Sequence, residues 1–344
     1  MIVSGFEGTC LNSRTEKLIA EQGIGGLILF ERNYENPKQL KKLIEDLQSL
    51  TAQNSPPLFI SVDQEGGRVA RLNEPFTQFP PMCCLGEANS DDLAYRFGLA
   101  MGKEMQAVGI NMDYAPVLDV HSNPENPIIG KRAISSNPDV VARLGCKIIQ
   151  GFKDAGTFPV GKHFPGHGDT SQDSHLTLPR VERSKESLEK IELVPFAQAF
   201  QEGLDVIMTA HVVYPAWDED SAATFSNYIL NDLLRKKMQF QGLVMSDDLE
   251  MHAVTQTPEE LPALAINAGV DLFLICHDLD KVTRLQDAMI DGIETGKIPH
   301  ETVDHSFNRI IKSKEKLTDD EMDLEHILEE NQKLAEEMRS YLTE

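Results

Sequence analysis

The sequence predicts an α/β fold: a single (β/α)8 barrel of the TIM type with extra helices at its C-terminal end. Short apolar runs alternate with amphipathic, helix-periodic stretches about eight times over roughly 300 residues, which suits a closed barrel better than an open sheet. The polar motifs come directly after the apolar runs, where barrel active sites are built. We expect a barrel over 1–316 and an acidic helical extension over 317–344.

The elements follow in order along the 344 residues. Concentrated apolar and β-branched residues predict strands at 25–30, 57–62, 107–112 with 115–117, 157–161, 206–210, 242–245 and 270–275. Apolar residues at helical spacing predict helices at 37–50, 91–108, 137–154, 185–203, 226–238, 258–268 and 279–295. Apolar residues between Met322 and Leu342 predict one or two amphipathic helices, which we expect to pack against the barrel or a partner chain.

Composition narrows the classes of protein. The chain has 55 acidic and 32 basic residues and a formal net charge of −23, so nucleic acid and anionic membranes are not expected partners. No run is long and apolar enough to span a bilayer. The five cysteines are odd in number and lack ligand-like spacing, which favours free thiols in a reducing compartment. With no signal peptide evident, a cytoplasmic location is expected.

The densest polar motif runs from Lys162 to Asp169, KHFPGHGD, and continues to Asp173 and His175. Glycine and proline interrupt it, so it cannot be helical. It begins directly after the predicted strand at 157–161. Titratable residues crowded on a loop at a strand end indicate a catalytic site of a parallel α/β enzyme.

Six segments in order resemble glycoside hydrolase family 3, in its β-N-acetylglucosaminidase branch. They are SVDQEGGRVARL at 61–72, NMDYAPVLDV at 111–120, GKR at 130–132, KHFPGHGDTSQDSH at 162–175, MTAHVVYPAWD at 208–218 and LVMSDDLEM at 243–251. The resemblance extends over roughly residues 1–315, which fits one barrel-sized domain.

The resemblance implies the catalytic residues. Asp247, the first Asp after its strand, is the nucleophile; such a carboxylate can form a covalent glycosyl-enzyme. Asp248 is left to cap a following helix. Asp173 and His175 form the acid/base pair, in which the aspartate orients a histidine whose pKa lies near working pH.

The resemblance also implies five sugar-binding residues. Lys162 offers a charged donor to sugar hydroxyls and His163 a neutral one. Asp63 accepts hydroxyls, and Arg71 and Arg132 complete the set.

Four other residues are expected near the ligand. Gly66 and Gly67 are expected in a turn that brings the loop close to the ligand. Asp119 and His211 are expected to line the pocket.

The predicted function is that of a retaining exo-β-N-acetylglucosaminidase that removes terminal non-reducing N-acetylglucosamine from peptidoglycan (muropeptide) fragments. No metal or organic cofactor is expected, and the protein is expected to be a monomer or weak homo-oligomer with a carbohydrate as its partner. The alternatives are a β-glucosidase or glycoside phosphorylase of the same family, a non-catalytic sugar-binding barrel, and a metal-dependent hydrolase. A metal enzyme would use the loop residues His163, His167, Asp169 and His175.

Overall fold

Eight parallel strands close into a barrel. The computed structural model describes residues 1–51, 55–171, 177–318 and 322–342. The barrel strands are β1 (Ile2–Ser4), β2 (Gly26–Leu29), β3 (Phe59–Val62), β4 (Met112–Asp113), β5 (Phe158–Phe164), β6 (Val206–Thr209), β7 (Leu243–Asp248) and β8 (Leu272–Ile275). Neighbours in sequence are neighbours in the barrel, and β1 pairs with both β2 and β8 to close it. The predicted (β/α)8 barrel is confirmed.

Helices surround the barrel and follow its strands. They are α1 (Ser13–Ala20), α2 (Pro37–Gln48), α3 (Cys83–Ala88), α4 (Asp91–Ala107), α5 (Pro138–Asp154), α6 (Lys185–Lys190), α7 (Leu193–Gln201), α8 (Leu261–Ala268), α9 (Leu279–Glu294), α10 (His300–Lys314) and α11 (Leu324–Arg339). A π-helical segment, Tyr228–Lys237, takes the helix position between β6 and β7.

Side-chain caps explain several helix starts. Asn36, Ser90 and Asn137 each accept a backbone N–H of the first turn of α2, α4 and α5. Prolines occupy the first turns of α2 and α5, where no intrahelical N–H is lost. These starts agree with the predicted helices within one residue.

Five features of the architecture differ from the sequence prediction. The strand predicted at 107–112 is only Met112–Asp113, because α4 continues to Ala107. Strand β1 and helix α1 were not predicted, because three strand residues at the N-terminus give too short a pattern. The predicted helix at 185–203 is divided into α6 and α7. A two-stranded antiparallel hairpin, Val213–Tyr214 with Asp218–Ala222, follows β6. Helix α10 was also missed.

The barrel interior is filled by side chains from every strand. Fully or nearly fully buried residues from alternate positions contact one another there, among them Val3, Ile28, Phe59, Met112, Val160, Val206, Leu243 and Leu272. A packed interior leaves the open space for ligands at the ends of the strands rather than along the barrel axis.

Helix α11 packs against α4 on the outside of the barrel. Leu334, Ala335 and Met338 are buried in the cluster that includes the apolar face of α4. Asn331 Nδ2 donates to Glu104 Oε1 at 2.7 Å. The tail therefore contacts the barrel, while the division into units at 316/317 stays a prediction. Within the described ranges, no helix combines the length and apolarity needed to cross a bilayer.

Candidate active site

A cavity of about 380 Å³ opens at the C-terminal ends of the barrel strands. Its volume lies within the range of small-molecule pockets, about 300–1,000 Å³. The residues that line it include six that the sequence analysis selected: Asp63, Arg71, Arg132, Lys162, His163 and Asp247. The fold thus brings the predicted nucleophile together with all five predicted sugar-binding residues.

Four charged side chains form a network at one wall of this cavity: Asp63, Arg132 and Lys162 line it, and Glu65 lies behind them. Lys162 Nζ donates to Asp63 Oδ1 at 2.6 Å and lies 2.6 Å from Glu65 Oε1. Arg132 donates to both oxygens of Glu65, from Nε at 2.8 Å and from Nη2 at 2.7 Å. Glu65 and Lys162 are almost completely buried, so each charge depends on its partners.

The network keeps its central groups ionised. Burial alone would raise the pKa of Glu65, but Arg132 and Lys162 hold it well below its usual range. Burial alone would lower the pKa of Lys162, but Asp63 and Glu65 raise it above its ordinary value. The sequence analysis missed Glu65, although an acid two residues after Asp63 in one motif was the available indication.

Arg71 has donors that remain available to a ligand. Its backbone N–H donates to Gln64 Oε1 at 2.7 Å, which fixes the chain at this point. Its guanidinium is 4.0 Å from Asp63 Oδ2, a loose ion pair. Among the described residues, none accepts a hydrogen bond from Arg71 Nε. That nitrogen is buried, so a sugar hydroxyl in the cavity meets the terminal nitrogens of Arg71, whose side chain is one-third exposed.

Two glycines shape the loop between Asp63 and Arg71. Gly66 and Gly67 have φ values of 87° and 61°, in the left-handed region that favours glycine. A Cβ on Gly66 would lie 2.7 Å from Pro80 O, so a side chain there would also clash. The prediction that both glycines occupy a turn is confirmed.

His163 is oriented by a buried carboxylate. Its Nδ1 lies 2.7 Å from Asp119 Oδ2, and its backbone N–H donates to Asp119 Oδ1 at 3.0 Å. Burial alone would raise the pKa of Asp119, but His163 and His167 hold it below its usual range. An ionised Asp119 requires a proton on His163 Nδ1, so a neutral His163 presents Nε2 as an acceptor. The expected neutral donor is therefore corrected.

A β-bulge brings two successive carboxylates into the cavity. Met245 pairs with Leu272 and Asp248 pairs with Leu274. Between these two pairs β7 advances by three residues and β8 by two, so β7 contains one extra residue. Successive strand residues normally face opposite sides, but the extra residue re-aims the chain. Both Asp247 and Asp248 consequently line the cavity.

Asp247 is in the charge state that a nucleophile needs. Burial alone would raise the pKa of its carboxyl, but His163 and His211 lower it below its ordinary value. Its Oδ1 accepts the backbone N–H of Asp248 at 2.8 Å. A carboxylate at this position is ionised at neutral pH and has a fixed orientation.

Asp248 has the opposite electrostatic character. Burial, together with the neighbouring charges of Glu250 and Asp247, raises the pKa of Asp248 to about 7. Its Oδ1 accepts the backbone N–H of Glu250 at 3.1 Å. The expectation that Asp248 caps a helix is wrong, because turns follow it and the next helix, α8, begins at Leu261.

Asp119 and His211 were expected to line the cavity. They instead lie outside its lining and contact two residues that line it, His163 and Asp248. Both are buried. His211 Nδ1 lies 2.8 Å from Thr224 Oγ1, and its Nε2 lies 3.2 Å from the carbonyl oxygen of Asp248. These contacts place it beneath the two aspartates of β7.

The predicted acid/base pair, Asp173 and His175, lies outside the described residues. Described residues on both sides of that stretch make side-chain hydrogen bonds. The amide of Asn126 donates to the carbonyl oxygens of His167 and Gly168 at 2.9 and 3.0 Å. Arg183 Nη2 donates to Asp169 Oδ1 at 2.6 Å.

Of the two described histidines in the metal alternative, His163 and His167, the more deeply buried is His167. It is buried, its Nδ1 lies 2.9 Å from Thr170 Oγ1, and burial lowers its pKa to about 4. In the part of the chain that the structure describes, no three His, Cys, Asp or Glu side chains are grouped as metal ligands.

Comparisons with known proteins agree with this geometry. The model of the glycosyl hydrolase family 3 N-terminal domain matches residues 5–313. The chain is 38% identical over 335 residues to Beta-hexosaminidase A of Pseudoalteromonas piscicida; the match covers 90% of this chain and only 56% of that protein.

Two solved structures are similar over nearly all of this chain. A family 3 β-N-acetylglucosaminidase from Paenibacillus sp. str. FPU-7 has 38% identity and a TM-score of 0.93, over 99% of this chain and 67% of that one. NagZ from Neisseria gonorrhoeae, in complex with N-trifluoroacetyl-D-glucosamine, has 31% identity and a TM-score of 0.83, over 99% and 98% of the two chains. The chain therefore belongs to glycosyl hydrolase family 3 and is, by that membership, a glycoside hydrolase.

Proposed function

We propose that this chain is a retaining exo-β-N-acetylglucosaminidase. The observation that carries the proposal is an ionised, oriented Asp247 on the wall of a cavity of about 380 Å³ that also holds the Asp63–Lys162–Glu65–Arg132 network. A retaining glycosidase requires a carboxylate nucleophile beside groups that fix the sugar hydroxyls.

In the proposed mechanism Asp247 attacks C1 of the bound sugar and forms a glycosyl-enzyme. His175, oriented by Asp173, protonates the departing oxygen and then acts as base for the attacking water. The KHFPGHGDTSQDSH motif supports these roles.

The glycosyl unit is held by five residues in this proposal. Lys162 and Arg71 donate to its hydroxyls, Asp63 accepts from them, and His163 contributes its Nε2. Arg132, whose Nε and Nη2 donate to Glu65, contributes positive charge at the wall.

The names of the similar proteins support N-acetylglucosamine as the sugar. Beta-hexosaminidase and β-N-acetylglucosaminidase are the activities in those names, and the Neisseria structure holds an N-acylglucosamine analogue. We further propose peptidoglycan fragments as the natural substrate and recycling of cell-wall material in the cytoplasm as the setting.

A panel of nitrophenyl β-glycosides, each assayed with and without phosphate, tests the proposal. We expect the N-acetyl-β-D-glucosaminide to be turned over fastest, phosphate to leave the rate unchanged, and the first product to have the β configuration. Preference for the glucoside, release of a sugar phosphate, or an inverted product would contradict it.

A further inference from the structure

His277 lies at the mouth of the cavity, where three contacts hold it although its side chain is exposed. Its backbone N–H donates to Glu250 Oε2 at 2.6 Å. Its ring centroid is 5.3 Å from that of Phe30. Its Nδ1 is 3.1 Å from Arg32 Nη1. A histidine that only faced solvent would not require this support.

Arg32 is itself fixed in place. Its Nε donates to the carbonyl oxygen of Phe6 at 2.9 Å and its Nη2 to that of Cys276 at 2.6 Å. Glu7 Oε1 lies 3.0 Å from Nε. The guanidinium joins the ends of β1, β2 and β8, so it cannot move away from the imidazole without breaking these contacts.

The contact with Arg32 determines the tautomer of His277. A guanidinium has donors and no acceptor, so His277 Nδ1 must be the acceptor of this hydrogen bond. The neutral ring then carries its proton on Nε2. No described residue accepts a hydrogen bond from this nitrogen, which leaves an oriented donor at the cavity mouth.

The position of His277 indicates which part of a substrate it meets. Of the groups assigned to the glycosyl unit, Lys162 and His163 are almost completely buried, whereas His277 is exposed. The rest of a glycan must leave through the opening, because the deep end is closed by the packed barrel interior. The first unit beyond the scissile bond therefore lies near the mouth.

We propose that His277 donates a hydrogen bond from Nε2 to an oxygen of the first sugar unit on the leaving-group side. This inference rests on the proposed function. It makes His277 a residue that selects for a sugar leaving group, with Phe30 and Arg32 as positioning residues.

The test compares two variants on a β-1,4-linked disaccharide of N-acetylglucosamine. His277→Phe keeps a ring and removes the donor, whereas His277→Gln keeps a donor of similar reach. We expect His277→Phe to raise KM for the disaccharide roughly 3- to 10-fold, the net effect of one hydrogen bond. His277→Gln should restore most of that loss. The matched control is His305→Phe, an exposed histidine of α10 outside the cavity lining.

The KM for nitrophenyl N-acetyl-β-D-glucosaminide separates the two sides of the scissile bond. It should be unchanged in His277→Phe, because this substrate carries no sugar on the leaving-group side. An unchanged KM for the disaccharide, or an equal loss for the nitrophenyl glycoside, would overturn the assignment. If the wild-type protein cleaves no N-acetylglucosaminide, the proposed function itself fails, which is a different result.

In wild-type protein, ¹⁵N NMR should show His277 protonated at Nε2 when its ring is neutral; protonation at Nδ1 would also overturn the inference.

Discussion

At the residue scale, neighbouring carboxylates of one cavity differ because their surroundings differ. Asp247 faces histidines and has a lowered pKa, whereas burial beside other carboxylates raises the pKa of Asp248 to about 7. Glu65 is kept ionised by two cations. Burial and the neighbouring charges, rather than the residue type, therefore determine the pKa of each carboxyl group.

Replacement of Asp248 should change how stability depends on pH. Its folded-state pKa of about 7 exceeds its ordinary value of 3.8, so ionisation opposes folding and stability falls as pH rises between these values. Asp248→Asn should therefore gain stability relative to wild type across that window, by on the order of 2 kcal/mol after allowance for partial exposure. Urea unfolding at a series of pH values measures this.

Asp247→Asn is the matched control with the opposite sign. The folded-state pKa of Asp247 is lowered, so its carboxylate adds stability above its ordinary value of 3.8, and that stability is lost as pH falls through the folded-state pKa. Curves for the two variants that run parallel to wild type would contradict these assignments.

Removal of the charge on Glu65 should damage both folding and binding. Glu65→Gln leaves the buried charges of Arg132 and Lys162 beside a neutral amide. Breaking a buried ion pair typically lowers the free energy of unfolding by about 3–5 kcal/mol. KM should rise as well, because the two cations lose their fixed positions. Glu259→Gln removes an exposed partner of Arg284 and should cost under about 1 kcal/mol. Equal effects of the two variants would contradict the network's role.

At the scale of elements, the strand ends were predictable and the bulge was not. Lys162, His163 and Asp63 could be placed because each follows or ends an apolar run, and parallel strands align such ends. The register shift in β7 depends on pairing with β8, which no local pattern encodes. The contacts of Glu65 and Asp119 likewise come from segments far apart in sequence, so their support of Arg132 and His163 could not be derived from spacing.

A prediction about the segment after β5 distinguishes a catalytic acid from a residue that only binds the sugar. A nitrophenolate leaves unaided and a sugar alkoxide does not, so His175→Ala should slow a disaccharide far more than a nitrophenyl glycoside, with a gap of roughly 10²–10⁴-fold. Lys162→Ala should harm both substrates alike. Steady-state kinetics on the two substrates measures the gap, and equal losses for His175→Ala would mean that the acid lies elsewhere.

At the scale of the whole molecule, helix α11 packs against α4 on the outside of the barrel. Met338 is fully buried against the α4 side, so Met338→Ala should cost about 2–5 kcal/mol in unfolding free energy. Activity at a temperature where the variant is folded should be unchanged, because α11 does not line the cavity. The exposed Leu342 gives the control, and Leu342→Ala should be nearly neutral. Equal stability of both variants would contradict the packing.

The central claim is that Asp247 forms the covalent glycosyl-enzyme, and trapping that intermediate tests it most directly. A 5-fluoro glycosyl trap slows turnover of the intermediate, so the labelled peptide can be identified by mass spectrometry. We expect the label on Asp247, with none on a folded Asp247→Asn variant that has lost nearly all turnover. A label on Asp248 or on any other carboxylate would contradict the account.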